Sequence, residues 1–149
     1  MLTHRHFILN LAISLILLIL TDIHYIFIMI FLVSSVLIDM DHYLYYIFEK
    51  KRFSLKSAHI WYLIEREKFH NLLLKEKKKH RYFIFIFHGI EPLILIFLLS
   101  YFYYPIFFIA LGFFIHLIED LTEAIRFNYF ERKLFLSYAI YLHIKNKVR

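Results

Sequence analysis

Long apolar stretches with almost no turn-forming residues constrain this chain more than any other feature of its sequence. The chain of 149 residues is 61% hydrophobic, whereas a soluble domain averages about 45–50%. A core of this size cannot hide that excess, because small domains leave much of their surface exposed. Only two glycines and two prolines are present, which favours long helices over a many-stranded barrel. Composition therefore excludes a soluble monomer and a disordered chain.

Four of these stretches approach the length of about 20 apolar residues that a helix needs to cross a bilayer. We predict an all-α, polytopic membrane protein that forms a single membrane domain over residues 1–149. It has four transmembrane helices, a cytoplasmic helical loop and a short C-terminal interfacial helix. The predicted spans are approximately 6–21, 24–48, 82–101 and 103–121, with the loop at 49–81 and the tail at 122–149.

The distribution of lysine and arginine predicts how the spans are oriented. Arg5 precedes the first span, the loop holds eleven basic residues, and the tail holds six. The two short links between spans hold none. Cytoplasmic connections carry an excess of Lys and Arg. We therefore expect a multi-pass protein of the cell (inner or plasma) membrane, with both termini and the loop in the cytoplasm.

Ionisable side chains within these spans are the candidate functional residues. Each one costs about 2.5–3.5 kcal/mol at the centre of a span on insertion scales, and such residues persist mainly where they have partners or a function. Three spans pair an imidazole with a carboxylate three or four residues away, which predicts that both lie on one helix face. The pairs are Asp39 with His42, His88 with Glu91, and His116 with Asp120.

Because successive spans run in opposite directions, all these pairs fall near the cytoplasmic side. We expect one composite site there, open towards the cytoplasm. The chain has no cysteine, and imidazole with carboxylate ligands suits zinc, manganese or iron. There are enough ligands for one or two ions. Glu91 and Glu119 are the candidates for a general base that does not bind the metal.

Several short motifs occur in an order that resembles a known family. They are Thr3-His4, IDMDH at 38–42, His80-Arg81, His88, and GFFIHLIED at 112–120. This order is similar to that of the membrane-bound metal-dependent hydrolase family, the YdjM-like group of inner-membrane proteins. The resemblance implies the following ligand set: His4, Asp39, Asp41, His42, His88, His116 and Asp120.

The predicted function is a membrane-embedded, divalent-metal-dependent hydrolase, acting on a lipid-linked or interfacial phosphoester. Two alternatives remain open: a metal-ion or proton transport component that uses the same residues, and a non-catalytic membrane scaffold. A transporter needs polar residues that continue to the other side of the membrane, whereas the outer half of these spans is nearly all apolar. This difference favours the hydrolase.

The remaining polar residues have more ordinary interpretations beside their functional ones. Arg81 is a candidate to hold a substrate phosphate through two hydrogen bonds, or else a charge that sets topology. The basic run Lys75–His80 is a candidate to contact anionic lipid head groups of the surrounding bilayer. Nucleic acid is not expected as a partner, since no nucleic-acid-binding fold signature is present. His6 and His24 are interpreted as interfacial residues.

Overall fold

The structure, a computed structural model, describes residues 3–73, 76–77 and 84–147, with side chains described from His6 to Lys145. Its described part contains no β-strand, and the predicted all-α class is confirmed. The long helices are α1 (Thr3–Leu20), α2 (Tyr25–Leu37), α3 (Met40–Lys50), α4 (Leu55–Asn71), α5 (Ile90–Leu99) and α6 (Pro105–Arg126). The chain ends in α7 (Phe130–Leu134) and α8 (Leu136–Lys147).

Two helical segments are long and apolar enough to cross a membrane. One is Tyr25–Lys50, in which α3 follows α2 after a single turn, and the other is α6. The apolar helical stretches His6–Leu20 and Ile90–Leu99 are shorter than a usual span. Length and composition thus support two of the four predicted spans directly.

The third predicted span differs from the structure at its beginning. Helix α5 begins at Ile90, and the residues just before it form turns rather than a helix. Gly89 is extended at the start of the helix, and Pro92 lies in the first turn, where its missing N–H costs no helical hydrogen bond. The prediction that His88 and Glu91 share a helix face is therefore wrong, because only Glu91 is helical.

Helix α1 has its polar side chains inside and its apolar side chains outside. Its buried residues include His6, Asn10 and Ser14, which are four apart and form one stripe. By contrast, Ile19 and Leu20 are 79% and 75% exposed. A surface helix of a soluble protein does the reverse. This pattern is typical of a helix whose surroundings are themselves apolar.

The close contact of α2 with α6 depends on Gly112. A Cβ atom at this position would lie only 2.7 Å from the carbonyl oxygen of Phe31 and would also meet the Ser34 hydroxyl. Glycine at a helix interface lets two backbones approach closely. This approach brings the carbonyl oxygen of Ser35 within 2.7 Å of Nδ1 of His116 on the facing helix.

Helix α4, in the segment between the second and third predicted spans, is held against the end of α6. Arg66 donates two hydrogen bonds to Glu123, at 3.0 and 2.6 Å. These bonds raise the pKa of Arg66 above its ordinary value. Nε2 of His70 lies 3.3 Å from the same carboxylate, and the hydroxyl of Tyr129 donates to it at 3.2 Å. Helix α4 therefore packs against the end of α6.

Candidate metal centre

Residues from four parts of the chain meet in a buried cluster beside α6. We call it the metal centre and define it as His6, Asp39, His88, His116 and Asp120. His6 and His116 are fully buried, and His88 and Asp120 are each 3% exposed. His6 comes from α1, Asp39 from the turn between α2 and α3, and His88 from the turn before α5. Helix α6 supplies the other two, one turn apart.

Three imidazole nitrogens of the metal centre are buried and make no hydrogen bond of ordinary geometry, although Nε2 of His6 lies 3.2 Å from Oδ1 of Asp120. They are Nε2 of His6, His88 and His116. Oδ2 of Asp39 is also buried without a hydrogen-bond partner. Buried polar atoms nearly always have a partner, so each exception needs an explanation. A neutral imidazole whose other nitrogen carries the proton offers a lone pair to a metal ion. These four atoms are all potential metal ligands.

The opposite nitrogen of each ring is held in the orientation that such ligation requires. Nδ1 of His116 donates to the Ser35 carbonyl oxygen. Nδ1 of His88 lies 2.9 Å from Oδ2 of Asp41, and Nδ1 of His6 is hydrogen-bonded to the Glu119 carboxylate. A metal-ligating histidine almost always donates its other N–H to a carbonyl or carboxylate in this way. These acceptors direct the Nε2 lone pairs towards the metal centre.

Distances among four of these residues match the edges of a tetrahedral site. Nε2 of His116 lies 3.4 Å from Oδ1 of Asp39 and 3.6 Å from Oδ2 of Asp120. Nε2 of His88 lies 3.5 and 3.6 Å from the same two oxygens. Ligands about 2.0–2.2 Å from a tetrahedral ion lie about 3.3–3.6 Å from one another. The metal centre is therefore positioned to hold a metal ion.

The potential ligands form overlapping groups rather than separate ones. Each group is a set of three ligand atoms that lie within 4.8 Å of one another. The groups are His6 with Asp39 and His116, Asp39 with His42 and His88, and His88 with His116 and Asp120. Because Asp39, His88 and His116 each belong to two groups, the ligands form one continuous site.

A buried lysine supplies positive charge at the edge of this site. Nζ of Lys133 lies 2.5 Å from Oδ2 of Asp120 and 5.7 Å above the ring of Phe85. The side chain is 7% exposed and is carried by the short helix α7. Sequence spacing gave no signal for Lys133, because nothing in the tail connects it with residues on the spans.

The structure brings together six of the seven ligands implied by the resemblance, but it gives two of them different surroundings. Asp41 accepts hydrogen bonds from Nδ1 of His88 and the backbone N–H of Phe87. Its other oxygen is 2.8 Å from Nδ1 of His42. The Asp41 carboxylate is thus already bonded on both oxygens and orients the two histidines. The His42 ring stacks on Phe85, with 3.9 Å between centroids.

The two candidate general bases are already hydrogen-bonded. Glu91 accepts from the backbone N–H groups of Leu136 and Ser137, each at 2.9 Å, and from the Ser137 hydroxyl. It therefore attaches α8 to the start of α5 and is not brought into the metal centre. Glu119 is bonded to His6 and accepts from Asn10 at 3.2 Å. It orients a ligand and offers no free carboxylate to water.

The interpretation of His6 as an interfacial residue is wrong, since its side chain is fully buried. The four-residue spacing of His6, Asn10 and Ser14 was the available signal, because it marks one polar stripe on an apolar helix. His24 is exposed. The side chain of His4 lies outside what the structure describes. The same is true of Arg81, Lys75 and residues 78–80 of the basic run.

No family model, curated protein or solved structure matches the chain. The resemblance to membrane-bound hydrolases therefore depends on the sequence motifs alone. Chemically, two imidazoles with two carboxylates hold zinc, manganese or iron in other proteins.

We expect Asp41→Asn to weaken metal binding about 10–100-fold, the usual effect of removing a partner that orients a ligand. The amide keeps the size of the side chain but removes the charge that holds the Nδ1 proton of His88. Titration of the purified protein with zinc against a competing chelator measures this change. The matched control is Asp22→Asn, an exposed carboxylate, which should bind zinc as the wild type does. An unchanged affinity of Asp41→Asn would contradict the orienting role.

Proposed function

We propose that the protein is a membrane-embedded, divalent-metal-dependent hydrolase that cleaves a lipid-linked or interfacial phosphoester. We also propose that it belongs to the YdjM-like group of membrane-bound hydrolases. The observation that carries the proposal is the convergence of three buried Nε2 atoms, on His6, His88 and His116, around the carboxylates of Asp39 and Asp120. None of the three makes a hydrogen bond of ordinary geometry, and lone pairs grouped in this way suit a metal ion.

The proposed setting is a cell membrane, crossed four times, with both termini in the cytoplasm. The two long apolar helical segments support it. Helix α1 also supports it, because its polar side chains are buried and its apolar side chains are exposed. The basic residues of the loop and the tail support the orientation. In this setting the first and third spans are shorter than usual, so the bilayer is thinned locally around them.

Hydrolysis of a phosphoester forms a bond from a water oxygen to phosphorus and breaks a phosphorus–oxygen ester bond. The water loses a proton, and the leaving oxygen gains one. A bound divalent ion lowers the pKa of water and offsets negative charge on phosphoryl oxygens. His88, His116 and Asp120, which form one of the groups able to hold an ion, would bind it through three protein ligands and would leave a position for that water.

Other atoms of the site suit the remaining needs of the reaction. Oδ2 of Asp39 is buried without a partner and is available to accept a proton from water. The ammonium group of Lys133, beside Asp120, supplies a positive charge for a phosphate oxygen. The hydrogen bonds that the three imidazoles donate to the Ser35 carbonyl, Asp41 and Glu119 fix the rings before substrate arrives, so the site is preorganised.

The test begins with purified full-length protein in detergent, loaded separately with zinc, manganese and iron. Metal content is measured by mass spectrometry, and release of phosphate or alcohol is measured on a panel of phosphoesters that includes phosphatidic acid and p-nitrophenyl phosphate. We expect one or two equivalents of metal and hydrolysis that a chelator abolishes. Failure to retain any of the three metals would overturn the proposal. Metal retention with metal flux across proteoliposomes, but no hydrolysis, would favour transport.

A further inference from the structure

A cleft lies beside the metal centre, between α4 and the junction of α2 with α3. Its volume is about 260 Å³. Its wall is mainly apolar and includes Val36, Leu37, Met40, Leu55 and Ala58. Three of these residues form an exposed rim, because Leu37, Met40 and Leu55 are 55%, 47% and 67% exposed. The cleft therefore opens directly onto the apolar surface of the protein.

One end of the cleft reaches Asp39 of the metal centre. Asp39 and His42 line the cleft, and together with His88 they form one of the groups able to hold a metal ion. A molecule in the cleft thus has its apolar part between the helices and its other end beside the metal ligands. With a metal ion bound to that group, this arrangement fits a molecule with an apolar chain and an anionic group.

Tyr62 adds a polar group to the lining. It lies on α4, lines the cleft, and meets the ring of His42 edge-on, with 4.7 Å between centroids. The pKa of an ordinary tyrosine hydroxyl is about 10, well above neutral pH. The Tyr62 hydroxyl therefore remains protonated and can donate a hydrogen bond to an oxygen of a bound head group.

The volume of the cleft decides how much of a ligand it can enclose. Ligand pockets usually measure about 300–1,000 Å³, so a cleft of about 260 Å³ holds only the part of a chain next to the head group. The exposed rim lets the rest of the chain continue among the surrounding lipid. A lipid in the same membrane meets this requirement, because its distal chain never has to leave the bilayer.

We propose that this cleft binds the acyl chain of a phospholipid substrate, with the phosphate beside Asp39 and His42 and with Tyr62 as a positioning residue that contacts the head group. The inference depends on the proposed hydrolase function and names its substrate class. It assigns binding to α4, which lies outside all four predicted spans.

The test is photolabelling, which requires binding but no turnover. Zinc-loaded full-length protein in detergent is exposed to a phosphatidic acid that carries a diazirine near the glycerol end of one acyl chain. The adducts are then mapped by peptide mass spectrometry. We expect them on the peptides that contain residues 36–43 and 55–62.

A bulky side chain in the cleft should remove this labelling. Ala58 is buried in the wall, so we expect Ala58→Trp to reduce the cleft adducts at least about fivefold, since filling the space excludes the chain. The matched control, Ile19→Trp, places the same side chain on an exposed position of α1 and should leave the adducts unchanged. Adducts spread over the exposed apolar surface, and equal in both variants, would overturn the proposal.

A second variant keeps the inference testable if Ala58→Trp does not fold. Tyr62→Phe removes only the hydroxyl, and we expect it to reduce labelling by phosphatidic acid several-fold. Labelling by the matching diacylglycerol, which has no phosphate, should not change between Tyr62→Phe and the wild type. An equal loss with both probes would contradict the head-group role.

Zinc content measured on the same samples separates this inference from the proposed function. Zinc retained by Ala58→Trp, together with lost cleft adducts, supports the cleft. A wild type that holds no zinc here, and no manganese or iron in the metal-loading test, overturns the hydrolase, whereas the position of its adducts still decides whether the cleft binds lipid.

Discussion

Replacement of His116 by alanine is expected to abolish metal binding and, with it, the proposed hydrolysis. Nε2 of His116 takes part in two of the four matching edges of the tetrahedral arrangement, with Asp39 and Asp120. The side chain is fully buried, so neither another residue nor bulk water can easily take its place. We expect metal content, measured by mass spectrometry after dialysis, to fall to background in His116→Ala.

Two controls make the result interpretable. His24→Ala removes an exposed imidazole at the start of α2 and should leave metal content at the wild-type level. Circular dichroism of His116→Ala should retain the helical signal, which separates loss of a ligand from loss of the fold. If folded His116→Ala holds as much metal as the wild type, the metal centre as defined here is incorrect.

Among the single substitutions proposed for this protein, Gly112→Ala is expected to lower the free energy of unfolding the most. The added Cβ would lie 2.7 Å from the carbonyl oxygen of Phe31, and a backbone atom cannot rotate away as a side chain can. Overpacking of this kind costs about 1–3 kcal/mol, occasionally more. We expect the upper end of that range, which lowers the midpoint of thermal unfolding by about 10 °C for a chain of this length. Thermal unfolding in detergent, followed by circular dichroism, measures the shift.

The neighbouring serine supplies a control for this prediction. The Ser34 hydroxyl would also meet the new Cβ, and Ser34→Ala removes that contact while leaving the Phe31 carbonyl in place. We therefore expect the double variant Gly112→Ala/Ser34→Ala to recover only part of the lost stability. Because separation of α2 from α6 also moves the Ser35 carbonyl away from His116, zinc affinity should fall in Gly112→Ala. A midpoint of thermal unfolding in Gly112→Ala equal to that of the wild type would contradict the close packing of α2 on α6.

Residue spacing predicted the members of the metal centre most accurately where the backbone is a continuous helix. His116 and Asp120 are one turn apart on α6, and the structure places both in the metal centre. His88 also reaches it, although the helix expected around it begins two residues later. The position of His88 along the chain was sufficient for this prediction, since the direction of the segment brings His88 to the same end of the bundle as His116 and Asp120.

Residue spacing was least informative for side chains that could form hydrogen bonds with several different partners. Glu91, Glu119 and Asp41 all have the residue type of a ligand or a base, yet each accepts hydrogen bonds from a neighbouring backbone or ring. For Glu91 those donors belong to Leu136 and Ser137, which lie far along the chain. No pattern local to Glu91 indicates that α8 begins there.

The sequence by itself determined the helical class, the polar residues that an apolar chain must bury, and the preference for a metal that binds nitrogen and oxygen. These properties depend on composition and on the periodicity of one helix, which are local. Only the tertiary structure decided that His6 and Lys133 join the site, that Asp41 and Glu119 orient ligands, and that α4 covers a cleft beside it. Helical periodicity sets which residues share a face, but packing between helices, such as that at Gly112, sets what each face meets.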